Sequence, residues 1–384
     1  MRLRHATLAI CAGNAGAYAI VNTSPLTLGA LKQGLGLDAA AAGALLTAAL
    51  LTMGGVALAV APLLTGARKR RAALAGAGIL VSGEVAAALC ESGSWMTLWM
   101  LFIGLGTGVL LAAINAIIAT TAAPDRLYGY ALTSAYAIAA LLVFGLAPAI
   151  EVAGHHGAFA VLAAFSLALL PLLRGLPLEA VAWQRTPAAV GALPSRRGGL
   201  ALLVGLFVIG VPMMGFYAFI EGLGARLGLA PAAIARVFAA QQVASVAGAL
   251  LAARLGLRCG LRASIFAATL LHTLAIATAV LGDGATAYAA GVVAEGFSFL
   301  FLLPVLFTLA ARLDPKGRWA AAANGALFVA TGLAPALVGV LIEARGYDAI
   351  AWLMAAATPL GLLAFAVSLR ALEMPVASAP QGAA

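Results

Sequence analysis

The feature that most constrains this chain is a succession of long apolar runs, each about 20 residues, separated by short gaps that hold most of the basic residues. A run of that length crosses a hydrocarbon layer of roughly 30 Å as an α-helix rising 1.5 Å per residue. A water-soluble fold is excluded on the same ground, since 9% of the residues are charged and 64% apolar, against about 25% charged in ordinary soluble domains. The runs are too long and too continuous for the alternating segments of a membrane barrel, so the backbone must satisfy itself within helices.

With a window near 19 residues, spans are expected at 6–30, 39–64, 72–89, 95–120, 127–150, 157–173, 199–220, 232–253, 263–281, 285–311, 319–342 and 349–369. The first run follows a basic start, Met1 to His5, and is too long for a cleaved signal peptide. Basic residues test the parity of twelve spans. With both termini cytoplasmic, 18 of the 22 Lys and Arg fall in inside segments, and only Lys32, Arg226, Arg236 and Arg345 fall outside, as the positive-inside rule requires. The net charge of +9 therefore reads as topology, and no nucleic-acid partner is expected. Cys11, Cys90 and Cys259 have neither disulfide nor metal spacing.

The longest gap lies near the midpoint and divides the chain into an N-terminal six-helix bundle (1–174), a cytoplasmic linker (175–198), a C-terminal six-helix bundle (199–370) and a cytoplasmic tail (371–384). The two bundles repeat one another. GLAPA occurs at Gly145 to Ala149 and at Gly332 to Ala336, and LGL at Leu35 to Leu37 and at Leu227 to Leu229; Pro124 and Pro315 both fall in inside loops. The offsets, 187, 192 and 191 residues, are close enough to constant to indicate duplication. The fold class expected is an all-α integral membrane protein with twelve transmembrane helices in two pseudo-symmetric six-helix bundles.

Twelve spans in two repeated bundles, with basic turns after spans two and eight, resemble the major facilitator superfamily of secondary transporters, over nearly the whole chain. The turn after span two, APLLTGARKRR from Ala61 to Arg71, carries the family's basic cluster, with Arg68 and Arg71 as gating candidates, but not its Asp. The equivalent LAARLGLRCGLR from Leu251 to Arg262 lacks the acid too, and Met100 stands where the family often has Arg before the Gly104, Gly106, Gly108 stretch. A Gly and Pro-Gly pattern in span five is associated with exporters in that family; GLAPA at Gly145 matches it in part, and TGLAPALVG, Thr331 to Gly339, matches it more closely in the opposite half. Gly145, Pro148, Gly332 and Pro335 are gating candidates on the same resemblance, because Gly allows close approach and Pro removes a backbone donor.

An acid in mid-bilayer persists only beside partners or a wet cavity. Glu295, about 10 residues and so roughly 15 Å into span ten, is a proton-carrying or cation-binding candidate, or else an acid hydrogen-bonded between helices. Glu84 in span three is the second candidate, with a structural hydrogen bond as its alternative. The resemblance places spans one, four, seven and ten around the cavity. Asn14, Tyr18 and Asn22 recur at i, i+4 and i+8 on one face of span one, and with Asn115, Tyr217, Gln241 and Asn324 they form the substrate-binding set; amides also join helices in lipid. Met213, Met214, Phe216 and Glu221 extend the span-seven surface, and Arg236 can snorkel. His155 and His156 are expected in an outside loop and His272 in span nine, without ligand spacing. No metal site, catalytic group or cofactor is expected, and no GxxxxGK loop is present.

The resulting expectation is a monomeric inner-membrane transporter of a small organic solute, working in the lipid bilayer by alternating access. Proton coupling is expected, and export rather than uptake. The rival is a non-transporting membrane sensor or assembly partner built on a transporter scaffold.

Overall fold

The computed structural model describes residues 2–60, 63–64, 67–118, 124–177, 196–255, 260–313 and 318–373. Most of the expected linker and the tail lie outside these residues. The described chain is all helix and turn, in thirteen helices. They are α1 (Arg2–Asn22), α2 (Ser24–Leu35), α3 (Ala39–Val60), α4 (Arg68–Ala88), α5 (Gly93–Ile118), α6 (Pro124–Leu173), α7 (Arg196–Ala218), α8 (Ile220–Arg226), α9 (Pro231–Leu255), α10 (Leu261–Leu281), α11 (Gly284–Leu313), α12 (Arg318–Arg345) and α13 (Asp348–Glu373). Ten of them are long and apolar enough to cross a membrane.

Three departures from uniform spans have local causes. The first expected span is two helices, α1 and α2, parted at Thr23 (φ −109°, ψ 7°) with Pro25 in the first turn of α2. Proline at 25 has no N–H to give the carbonyl of Val21, so the ladder is interrupted there. The seventh is likewise parted at Phe219 (φ −105°, ψ 14°), between α7 and α8. Conversely, α6 runs through the loop expected between spans five and six, leaving helical geometry only at Ala153 and Gly154, where Gly154 has φ +56°. His155 and His156 occupy that kink rather than a free loop, bonded to the carbonyls of Cys90 (2.8 Å) and Ala88 (2.7 Å) at the end of α4.

Helices α1 to α6 pack among themselves, as do α7 to α13, and the two sets meet where α3 lies along α12, α6 along α9, and α2 against α7 and α8. The duplication is visible in backbone conformation: Gly36 and Gly228, 192 residues apart, both take positive φ (62° and 72°), as do Gly154 and Gly346 (56° and 78°), also 192 apart. Only glycine adopts that conformation without penalty. The basic turn before α4 has a defined packing role as well. Arg68 and Arg71 are exposed, while Lys69 between them is buried and donates to the carbonyl of Ala116 at 3.0 Å, in the last turn of α5, where a cation complements the helix dipole.

Candidate functional site

The breaks in α1/α2 and α7/α8 meet. At the end of α1, the Asn22 carbonyl accepts the Tyr217 hydroxyl at 2.7 Å and the Gln242 side-chain amide at 3.1 Å. Gln242 also donates to the Tyr217 oxygen at 3.0 Å. One backbone carbonyl freed near a helix break thus ties α1 of the first set to α7 and α9 of the second. The knot is dry, with Asn22 at 3% and Gln242 at 0% exposure. It is also incomplete: Asn22 Nδ2, a donor, and Gln242 Oε1, an acceptor, find no hydrogen-bond partner among the described residues. Buried polar atoms without partners are costly, and an acceptor beside Asn22 Nδ2 with a donor beside Gln242 Oε1 would satisfy both.

One residue earlier on α9, Gln241 faces a different neighbour, because consecutive helical residues point about 100° apart. Its amide donates to Glu295 Oε2 at 2.9 Å. Glu295 is fully buried, and α11 comes this close because Gly296 follows it; a Cβ there would press on the Gln241 carbonyl at 2.6 Å. On its other side Glu295 has α10, where His272 Nδ1 meets Ser298 Oγ at 2.9 Å and His272 Nε2 lies 4.0 Å from Glu295 Oε1. Tyr136 of α6 lies within electrostatic range of Tyr18, Tyr217 and Glu295. Neighbouring glutamines therefore join a buried acid to the junction between the two helix sets.

The remaining candidates are placed elsewhere. Asn14 is buried and donates to the Ala131 carbonyl at 3.0 Å, fastening α1 to α6. Tyr18 packs partly buried against the apolar core. Asn115 and Asn324 are half-buried, a turn from the end of α5 and two turns from the start of α12. Glu84 is fully buried in α4 beside Ser166 of α6, yet neither its carboxyl oxygens nor Ser166 Oγ complete a hydrogen bond among the described residues.

The GLAPA segments differ in setting. Gly145 and Pro148 are exposed on α6, whereas Gly332 packs on Leu51 and the Pro335 carbonyl rests on Gly43 of α3. Beside that proline, the Ala336 N–H donates to Thr47 Oγ1 at 3.0 Å. At the same end of the bundle, the Ala39 N–H donates to Glu343 Oε1 at 2.8 Å, and Gln33 donates to Glu221 Oε1 at 3.3 Å.

Sequence reading missed Gln242, His272, Lys69 and Tyr136. Gln242 carried a signal: two adjacent glutamines in an apolar helix cannot share one partner, so each implies a polar neighbour of its own. His272 had none, because its partner lies on another helix.

No family model and no curated protein matches the sequence. Solved structures do. The chain aligns with a D-xylose–proton symporter at TM-score 0.76 and 15% identity, over 96% of this chain and 97% of that one. It aligns with a POT family transporter in complex with a thioalcohol-conjugated peptide at 0.75 and 15%, over 96% of each. A third match is the D323A mutant of the nucleoside transporter NupG, at 0.70 and 14%, over 94% and 99%. The chain has the major facilitator fold. Met100 is buried in α5, and in the basic cluster Lys69 is the residue that bonds the end of α5.

Proposed function

We propose that this protein is a secondary active transporter that moves a small, uncharged or amphipathic organic solute across the inner membrane by alternating access, coupled to protons. In this reading α1 with α2, and α7 with α8, are single broken spans, and α6 is two, giving twelve spans in two six-helix bundles with both termini cytoplasmic. The observation that carries it is the adjacency on α9: Gln242 in the incomplete junction at Asn22 and Tyr217, Gln241 on buried Glu295. A solute completing the junction and a proton on Glu295 would both act on one turn of helix, which is what coupling requires. Broken helices whose freed backbone faces the centre of the bundle are the usual place for a transported solute.

On the expected topology the α3–α12 seam closes the outer side, and Gly332 and Pro335 are its hinge. TGLAPALVG in that seam supports export over uptake, and so antiport against protons. The test is solute and proton flux in liposomes holding the purified protein, challenged with a panel of amphipathic metabolites and antimicrobials. Solute-dependent proton movement in the wild type, lost in Glu295→Gln, is the expected result. Solute flux without proton movement would overturn the coupling, and no flux of any member with a folded protein would favour the sensor.

A further inference from the structure

The geometry points to a two-residue proton site in which Glu295 and His272 hold one proton between Oε1 and Nε2. It rests on the proton-coupling reading of Glu295 and adds a residue on a different helix. The hydrogen bonds around the pair determine which atoms are available. Ser298 Oγ donates its only proton to the Glu295 backbone carbonyl at 2.9 Å. At 2.9 Å from His272 Nδ1, that oxygen can therefore only accept, so the imidazole carries its proton on Nδ1 and leaves Nε2 as a bare acceptor. Glu295 Oε2 is already taken by the Gln241 amide. Oε1 and Nε2 remain, both buried, neither with a hydrogen-bond partner among the described residues, and 4.0 Å apart. That gap exceeds an O–H···N hydrogen bond by about 1 Å, so loading the pair requires a side-chain rotation that brings the two atoms together.

A proton entering this gap bonds to Oε1 and is accepted by Nε2. If it crosses, the O–H bond breaks as the N–H bond forms, leaving a carboxylate against an imidazolium with no change in total charge. The loaded pair is therefore neutral in either form, and only the unloaded pair carries a net negative charge into the bilayer.

The other groups around the pair are few. From α9 come Gln241 and Ser245, from α7 Tyr217 and from α6 Tyr136. Helix α13 meets α10 through the Thr273–Thr358 hydrogen bond of 2.7 Å. Glu221 of α8 faces Tyr288, about 10 Å further along α11. Among these, His272 is the titratable group with a free atom aimed at Glu295.

The test uses the full chain in liposomes, 15N-labelled at its four histidines, with His272 assigned by its loss in His272→Gln. In the wild type, the His272 Nε2 resonance should move with pH at the same midpoint as a carboxyl infrared band absent from Glu295→Gln, while Nδ1 stays protonated. In His272→Gln that carboxyl midpoint should move by about one pH unit or more, the signature of a site titrating as a pair. An unmoved midpoint overturns the pair and leaves Glu295 as a lone carrier. Absence of any titrating band assignable to Glu295 overturns both the pair and the proton-coupling reading. If His272→Gln does not fold, assignment by elimination with His5→Gln, His155→Gln and His156→Gln leaves the wild-type resonance to decide, and a pH-independent Nε2 overturns the pair.

Discussion

At the scale of single residues, Gln241 and Gln242 face different partners, buried Glu295 and the Asn22–Tyr217 junction, the two sites that the proposed coupling would link. Gln242→Leu removes two hydrogen bonds from the Asn22–Tyr217 junction and should cost about 1 kcal/mol, given that interhelical bonds in membranes average below that each; in solute binding it should cost more, read as a drop in ligand-induced thermal stabilisation. Gln241→Leu should instead alter the pH dependence of flux, because it uncovers Glu295 Oε2. Lys69→Met should destabilise by about 1 kcal/mol through loss of its hydrogen bond to the Ala116 carbonyl, whereas Arg68→Met, exposed, should have little effect on melting.

At the scale of elements, the proposed site lies where helices fail to be regular. Pro25 was visible as a residue that cannot donate, yet only the folded chain shows that the interruption beside it presents the Asn22 carbonyl to Tyr217 and Gln242. Close approach is the complementary device. Gly296→Val should separate α11 from α9, since its side chain would meet the Gln241 carbonyl, and the expected outcome is loss of the Glu295–Gln241 contact with reduced yield of folded protein. A Gly296→Ala variant with unchanged melting and unchanged proton movement would show that the contact does not need the glycine. The kink in α6 carries the same lesson about loops. His155 and His156 fall in what reads as an outside gap, but their ring nitrogens bond to carbonyls at the end of α4, so these two side chains are part of the packing although Ala153 in the kink beside them is exposed.

At the scale of the whole molecule, the two helix sets are joined among the described residues by few polar contacts, at Thr47–Ala336, Ala39–Glu343, Gln33–Glu221 and the Asn22 carbonyl with Tyr217 and Gln242. Few bonds suit a surface that must part in the proposed cycle. A reversible cross-link between cysteines placed at Thr47 and Ala336, in a chain with Cys11, Cys90 and Cys259 replaced, should stop solute flux when oxidised and restore it when reduced. Flux that continues in the fully cross-linked protein would mean that this seam stays closed throughout the cycle.

What the sequence determined by itself is the helical, membrane-spanning architecture, because run length and charge placement are set by the bilayer, a uniform solvent that acts on each segment separately. The duplication was legible for a similar reason: LGL at residues 35–37 and 227–229 repeats a local requirement, a glycine at positive φ after a helix, and both glycines have it. Glu295 was legible as an acid where acids are expensive. Its partners were not, since Gln241, Ser298 and His272 are brought together by the packing of α9, α10 and α11. Nor did the span-one stripe predict its own division, in which Asn14 fastens α1 to α6 while Asn22 joins α7 and α9 through its backbone. A side chain's type and depth follow from the sequence; the atom it meets depends on how the helices pack, and only the tertiary structure decides that.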